Sequence, residues 1–131
     1  MLGYPLETVL AEKIATAISL GPANTRVRDY ADVYTLTGTH SVTHAAARAA
    51  LFATAAHRQI AVVPLSTAIG NVIEMRAGSY AAYRSGLGPD GQQLPSDFER
   101  VVRAVAAFAD HLVEDREPTR RWNHRGRNWE G

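Results

Sequence analysis

The chain has no cysteine. Disulfides, thiolate nucleophiles and cysteine-based zinc sites are therefore excluded, and the composition is compatible with a reducing compartment. Nor does it contain a run of about 18 apolar residues, the length that spans a bilayer as a helix. Its first residues, MLGYPLETVLAEK, lack the basic-then-apolar layout of a secretory signal, so a cytoplasmic chain is expected, with no membrane partner. An excess of charge is also missing: 14 Lys and Arg stand against 13 Asp and Glu, and a net +1 identifies no partner. What is present is an ordinary globular balance, 46% hydrophobic and 21% charged residues in 131, enough for one domain with a modest core.

Periodicity predicts a mostly α protein, a helical bundle of about five helices with no substantial sheet. Pro5 suits a helix start and Gly21-Pro22 a stop, which frames a helix over Leu6 to Leu20. At about 100° per residue, Leu6, Val9, Leu10, Lys13, Ala17 and Leu20 share its inward face. A Thr25 cap then opens a second helix from Arg26 to about Thr37, with Arg26, Asp29, Tyr30, Val33 and Leu36 inward and Gly38 as its end. The alanine-rich stretch from Ser41 to His57 predicts a third helix. Ile60 to Pro64 reads as an extended crossover, and Val72 to Ser85 as a fourth helix followed by a Gly-Pro-Asp-Gly loop. Ser96-Asp97-Phe98-Glu99 has capping-box spacing ahead of a fifth helix with the stripe Phe98, Val101, Val102, Val105, Ala109 and Leu112. Residues 1–114 are expected to form the helical domain. Beyond Glu114 the period is lost, and residues 115–131 read as a flexible basic tail containing Trp122 and Trp129.

Lys13 and Asp29 interrupt apolar stripes on consecutive helices. A charge is costly to bury alone, so the two predict a polar pocket in which each satisfies the other, their charged atoms within about 6 Å. The same residues also suit a purely structural bridge between helices. Arg28 and Asp32, at i,i+4, suit either a weak surface pair or the wall of that pocket. His40 and His44 have two-ligand spacing but no third ligand, and capping or surface placement explains them better than a metal. His57 beside Arg58 suits the negative end of a helix dipole. In the tail, Arg120, Arg121, Arg125 and Arg127 interleave with Trp122, His124 and Trp129, a pattern that suits RNA phosphates and bases as well as a solvated terminus.

The stretch from Tyr4 to Lys13, followed by Asn24-Thr25-Arg26-Val27-Arg28-Asp29-Tyr30-Ala31-Asp32-Val33-Tyr34, resembles the second half of the AbiEii/AbiGii nucleotidyltransferase toxins, of bacterial toxin-antitoxin and abortive-infection systems. Leu94-Pro95 before the last helix and the basic Trp-containing tail extend the resemblance over most of the chain. It implies catalytic roles for Lys13 and Asp29, with Arg26, Arg28 and Asp32 as substrate-binding candidates. It also implies a nucleoside triphosphate, Mg2+, and transfer to RNA such as the tRNA acceptor end. The family's Gly-Ser turn and paired metal-binding acids have no match in these residues. No metal site and no cofactor are therefore expected for the chain alone, which reads as a truncated form, inactive by itself. An antitoxin, a separate catalytic half or self-association through helix one is the expected partner; the alternatives are a noncatalytic binding module and a small RNA-binding protein.

Overall fold

A computed structural model describes residues 5–21, 26–114 and 119–130. Its elements run α1 (Leu6–Leu20), α2 (Val27–Thr39), α3 (His44–Arg58), the single turn α4 (Leu65–Ala68), α5 (Val72–Gly86), a 3-10 helix (Gly88–Gln93), α6 (Phe98–Glu114), β1 (Arg121–Asn123) and β2 (Asn128–Glu130). The protein is mostly α, and five of these helices span thirteen residues or more.

Helix α1 runs along α3 and also touches α2 and α4. Small buried side chains, Ala11, Ala15 and Ala17 on α1 and Ala47 and Ala55 on α3, suit a close approach. Gly21 stops α1 at φ 52°, and a Cβ there would lie 2.7 Å from the Ala68 carbonyl oxygen, so glycine is required twice over. The buried face of α1 differs from the predicted stripe. It is centred on Leu10, Ile14 and Ile18, while Leu20 is exposed and Lys13 sits on the flank. Those three side chains fill the protein's own core, so helix one does not present the apolar docking face expected of it; only Leu6 and Val9 remain half-buried at its start.

Helix α6 is the centre of the core, and all six residues of its predicted stripe are buried. Tyr80 from α5 stacks on Phe98 at 4.9 Å between centroids and donates to the Pro95 carbonyl at 2.5 Å; Tyr30 meets Phe98 edge-on at 5.8 Å. Several boundaries move for local reasons. Thr43 caps α3 by accepting from the Ala46 amide, which puts the helix start after Ser41. Asp97, not Ser96, caps α6 by accepting from the Glu99 amide at 3.0 Å. Gly38 lies inside α2, which ends at Thr39; the expected Thr25 cap falls outside the described residues.

The largest departure is at the C-terminal end, where the residues read as a tail form an antiparallel hairpin against the bundle. Trp122 and Trp129 are cross-strand partners, 2% and 8% exposed, packed with Phe108 at 4.9 and 5.1 Å. On its outer edge, β1 pairs with the segment before α3, through Trp122 N to Val42 O and His44 N to Arg120 O, both 2.8 Å. The hairpin also closes the end of α2. A helix leaves its last carbonyls without intrahelical donors, and here Trp122 Nε1 donates to Thr37 O at 2.6 Å while His124 Nδ1 lies 3.4 Å from Gly38 O. Arg127 stacks over the Tyr34 ring at 3.7 Å and donates to Tyr34 O at 3.0 Å. A Cβ on Gly38 would run into that guanidinium. With both indoles buried, neither Trp122 nor Trp129 can stack on a base, while His124 stays half-exposed.

Candidate active site

Asp29 sits in the first turn of α2, where the helix dipole favours an acid, and Asp32 follows one turn later on the same side. Lys13 reaches both from α1: its Nζ donates to Asp29 Oδ1 at 3.2 Å and to Asp32 Oδ2 at 2.9 Å. The second link is the shorter one, so of the two readings open for Asp32, surface partner of Arg28 or part of the pocket, it joins the Lys13 cluster while keeping a longer contact to Arg28. Asp29 is 5% exposed, and its other oxygen faces Arg26 Nε at 3.0 Å, a coulombic contact rather than an aligned hydrogen bond. Arg28 Nε lies 3.6 Å from Asp32 on an exposed side chain, a contact that solvent screens.

Burial by itself would lower the Lys13 pKa. The hydrogen bonds and charges of Asp32, then Asp29, outweigh it and hold the ammonium above lysine's ordinary 10.5. Lys13 is thus a fixed cation at neutral pH and not a proton acceptor. An ammonium has three N–H donors, of which the aspartates take two. The third is available on a side chain 23% exposed at the wall of a cleft of about 730 Å³.

That cleft lies among α1, the start of α2 and the end of α3, and sequence reasoning found only part of its lining. Lys13, Asp29 and Arg26 line it, whereas Arg28 and Asp32 do not; Asp32 reaches the cleft only through Lys13. Glu12, Thr16, His57 and Arg58 also line it. Arg58 Nη1 donates to Thr16 Oγ1 at 3.2 Å and to the Glu12 carbonyl at 3.3 Å, and lies 3.5 Å from the Glu12 carboxylate. Glu12 and Thr16, at i,i+4 around Lys13, were a signal in the sequence; the arrival of Arg58 from 46 residues away was not. His40 and His44 prove not to share a helix: His40 follows α2 and bonds Thr39 Oγ1 at 2.8 Å, while His44 is buried at the start of α3 with Nε2 3.0 Å from His111 O.

A compact Lys-Asp-Asp cluster with arginines at its edge, open to a cleft of this size, has the chemistry to hold a phosphate-bearing ligand. The family profile described as "Nucleotidyl transferase AbiEii toxin, Type IV TA system" matches residues 1–125. The chain belongs to the AbiEii nucleotidyl transferase toxin family. No curated protein and no solved structure matches it.

The Mg2+ implied for AbiEii proteins does not fit the acids in and beside this cleft. Asp29 faces Lys13 and Arg26, Asp32 faces Lys13 and Arg28, and Glu12 faces Arg58, all within 3.6 Å. Magnesium is held by carboxylates and waters in near-octahedral geometry, and carboxylates already neutralised by cations are poor ligands for it. Among the described residues no group of three or more His, Asp or Glu is placed to hold a metal, and no helix is long and apolar enough to cross a membrane.

The Lys13 cluster has a pH signature. Because its folded pKa is raised, its contribution to stability is fully present below 10.5 and is lost as pH rises through the folded value. The stability gap between the wild type and Lys13→Met, followed by thermal melts from neutral to strongly alkaline pH, should therefore narrow above that point. Tyr80, whose pKa burial also raises, weakens both proteins alike in that range. A gap that widened with alkali would contradict the charge assignment.

Proposed function

We propose that the cleft of this AbiEii-family toxin binds the phosphates of a nucleoside triphosphate, with Lys13 as the cation that meets them. The observation that carries this reading is the placement of the Lys13 ammonium, held at 3.2 and 2.9 Å by Asp29 and Asp32 with its remaining donor at the cleft. In nucleotidyl transfer a hydroxyl oxygen attacks the α-phosphorus and gives up its proton to water or to a base outside this cleft, the bond to the leaving pyrophosphate breaks, and negative charge moves onto the oxygens of the leaving group. A preorganised cation stabilises that charge without reorganising at the moment of reaction. Asp29 has one oxygen on Lys13 and the other against Arg26, so its role is to position and charge the lysine, not to accept the proton of the attacking hydroxyl. Asp32 shares that positioning role, and Arg26 and Arg58 are the further cations able to swing onto phosphate oxygens.

The acceptor in this reading is an RNA end, the tRNA acceptor among the candidates, in the cytoplasm. The nucleotide-side metal needs carboxylates that are free of cations, and none among the described residues lines this cleft. The 131 residues alone therefore bind the nucleotide without transferring it, and a separate catalytic half brings the acids; a cognate antitoxin is the second expected partner. Incubating the purified chain with RNA, Mg2+ and labelled nucleotides is expected to yield no labelled RNA. Label incorporation that disappears in Lys13→Ala would overturn the claim of inactivity while supporting the site.

A further inference from the structure

The hairpin carries a second recess that the cleft chemistry does not use. It encloses about 320 Å³ and is lined by Ser41, Arg121, Asn123, His124, Arg125 and Glu130, above the edge of the buried Trp122. Arg121 and Arg125 are exposed, and among the described residues neither guanidinium has an ion-pair or hydrogen-bond partner. The one acid of the recess, Glu130, stands opposite Arg121 across the strands and accepts from Asn123 Nδ2 at 3.0 Å; its single negative charge is outnumbered by the two guanidiniums. Asn123 also accepts from the Arg125 and Gly126 amides at 3.0 and 3.2 Å, which fixes the turn that presents Arg125. The platform is rigid because both indoles are in the core and the Trp122 and Trp129 N–H groups are bonded to carbonyls of other elements.

We propose that this recess binds the phosphodiester backbone of a single-stranded nucleic acid, independently of the nucleotide cleft. Guanidinium groups are the preferred donors to phosphate, and here two stand without an ion pair over a polar hollow, with a histidine beside them and one carboxylate against their two charges. An acidic protein fits less well, since protein interfaces bury an apolar centre and the exposed large apolar side chains, Leu20, Phe52, Met75 and Leu87, all lie on other elements. The burial of Trp122 and Trp129 removes both indoles as stacking surfaces, which leaves the phosphates as the main points of contact. Contact through phosphate alone is insensitive to sequence and strongly sensitive to salt.

The test is fluorescence anisotropy with a short mixed-sequence RNA, the same sequence as single-stranded DNA, inorganic pyrophosphate as competitor, and poly-glutamate as the acidic-protein probe. Both strands should bind the wild type alike. Arg121→Gln/Arg125→Gln should weaken binding about 25-fold at 0.1 M salt and flatten the log-log salt slope by about 1.4, the counterion-release values for two single-strand phosphate contacts. Lys13→Met should leave strand binding intact, which separates this site from the cleft whatever becomes of the nucleotide reading. Thermal melts of the arginine variant should match the wild type, since neither side chain touches the core. Wild-type affinity and slope in the arginine variant would overturn the proposal. So would loss of binding in Lys13→Met alone, preference for one base sequence, tighter binding of poly-glutamate than of RNA, or pyrophosphate binding as tight as the strand's.

Discussion

Trp122→Ala is expected to destabilise the protein by about 3–5 kcal/mol, the usual cost of removing a large aromatic from a closed core. Three losses combine. The indole is 2% exposed and meets Phe108 and Trp129 edge-on at 4.9 and 5.3 Å, so its removal leaves a void between the hairpin and α6. Its N–H is the donor for the Thr37 carbonyl in the last turn of α2, which is then left without that partner. The hairpin that holds Arg127 against Tyr34 loses its anchor as well. Set against the 5–15 kcal/mol of a typical domain, that is a large share, and the thermal midpoint should fall by roughly 12 °C or more. A solvated tail would give a change within about 0.5 kcal/mol, so a near-silent Trp122→Ala in a urea titration would refute the packed hairpin.

Lys13→Met is the second large effect. The substitution keeps the length of the side chain and removes the charge, leaving Asp29 and Asp32 close together with only Arg26 and Arg28 to offset them. Nucleoside triphosphate affinity should fall roughly 10- to 150-fold, the equivalent of one charge-assisted hydrogen bond of about 1.5–3 kcal/mol. Stability should fall by about 1–3 kcal/mol, less than for a fully buried pair because Lys13 is partly exposed and Arg26 remains. Asp29→Asn separates positioning from contact: it preserves shape but weakens the hold on the ammonium, so its affinity loss should be smaller than that of Lys13→Met. Calorimetric titration of the three proteins checks the order, and equal affinities throughout would place the nucleotide elsewhere.

The helices were legible in the sequence because their signals are local. Pro5, Gly21 and the stripe on α6 each report a boundary or face within one or two turns. The pairing of Lys13 with Asp29 was legible for a different reason, since a charge inside an apolar stripe needs a partner on whichever element faces it. What escaped depends on distant packing. Lys13 lies on the flank of α1 and not at its centre because the alanine-lined side turns toward α3, which no single-helix period reveals. Arg58 reaches the cleft only once α3 lies along α1. The hairpin escaped because two three-residue strands are too short to show a period of two, and the arginines around Trp122 and Trp129 give it the composition of a solvated tail.

Backbone amide shifts of the 15N-labelled chain, followed by NMR during titration with a nucleoside triphosphate in the absence of metal, test the central claim most directly. The account predicts saturable shifts concentrated at residues 8–16, 26–32 and 57–58, around the Lys13 cluster, and their disappearance in Lys13→Met. Shifts that centre on the hairpin or on α5, or none at concentrations well above those of a weak complex, would contradict it.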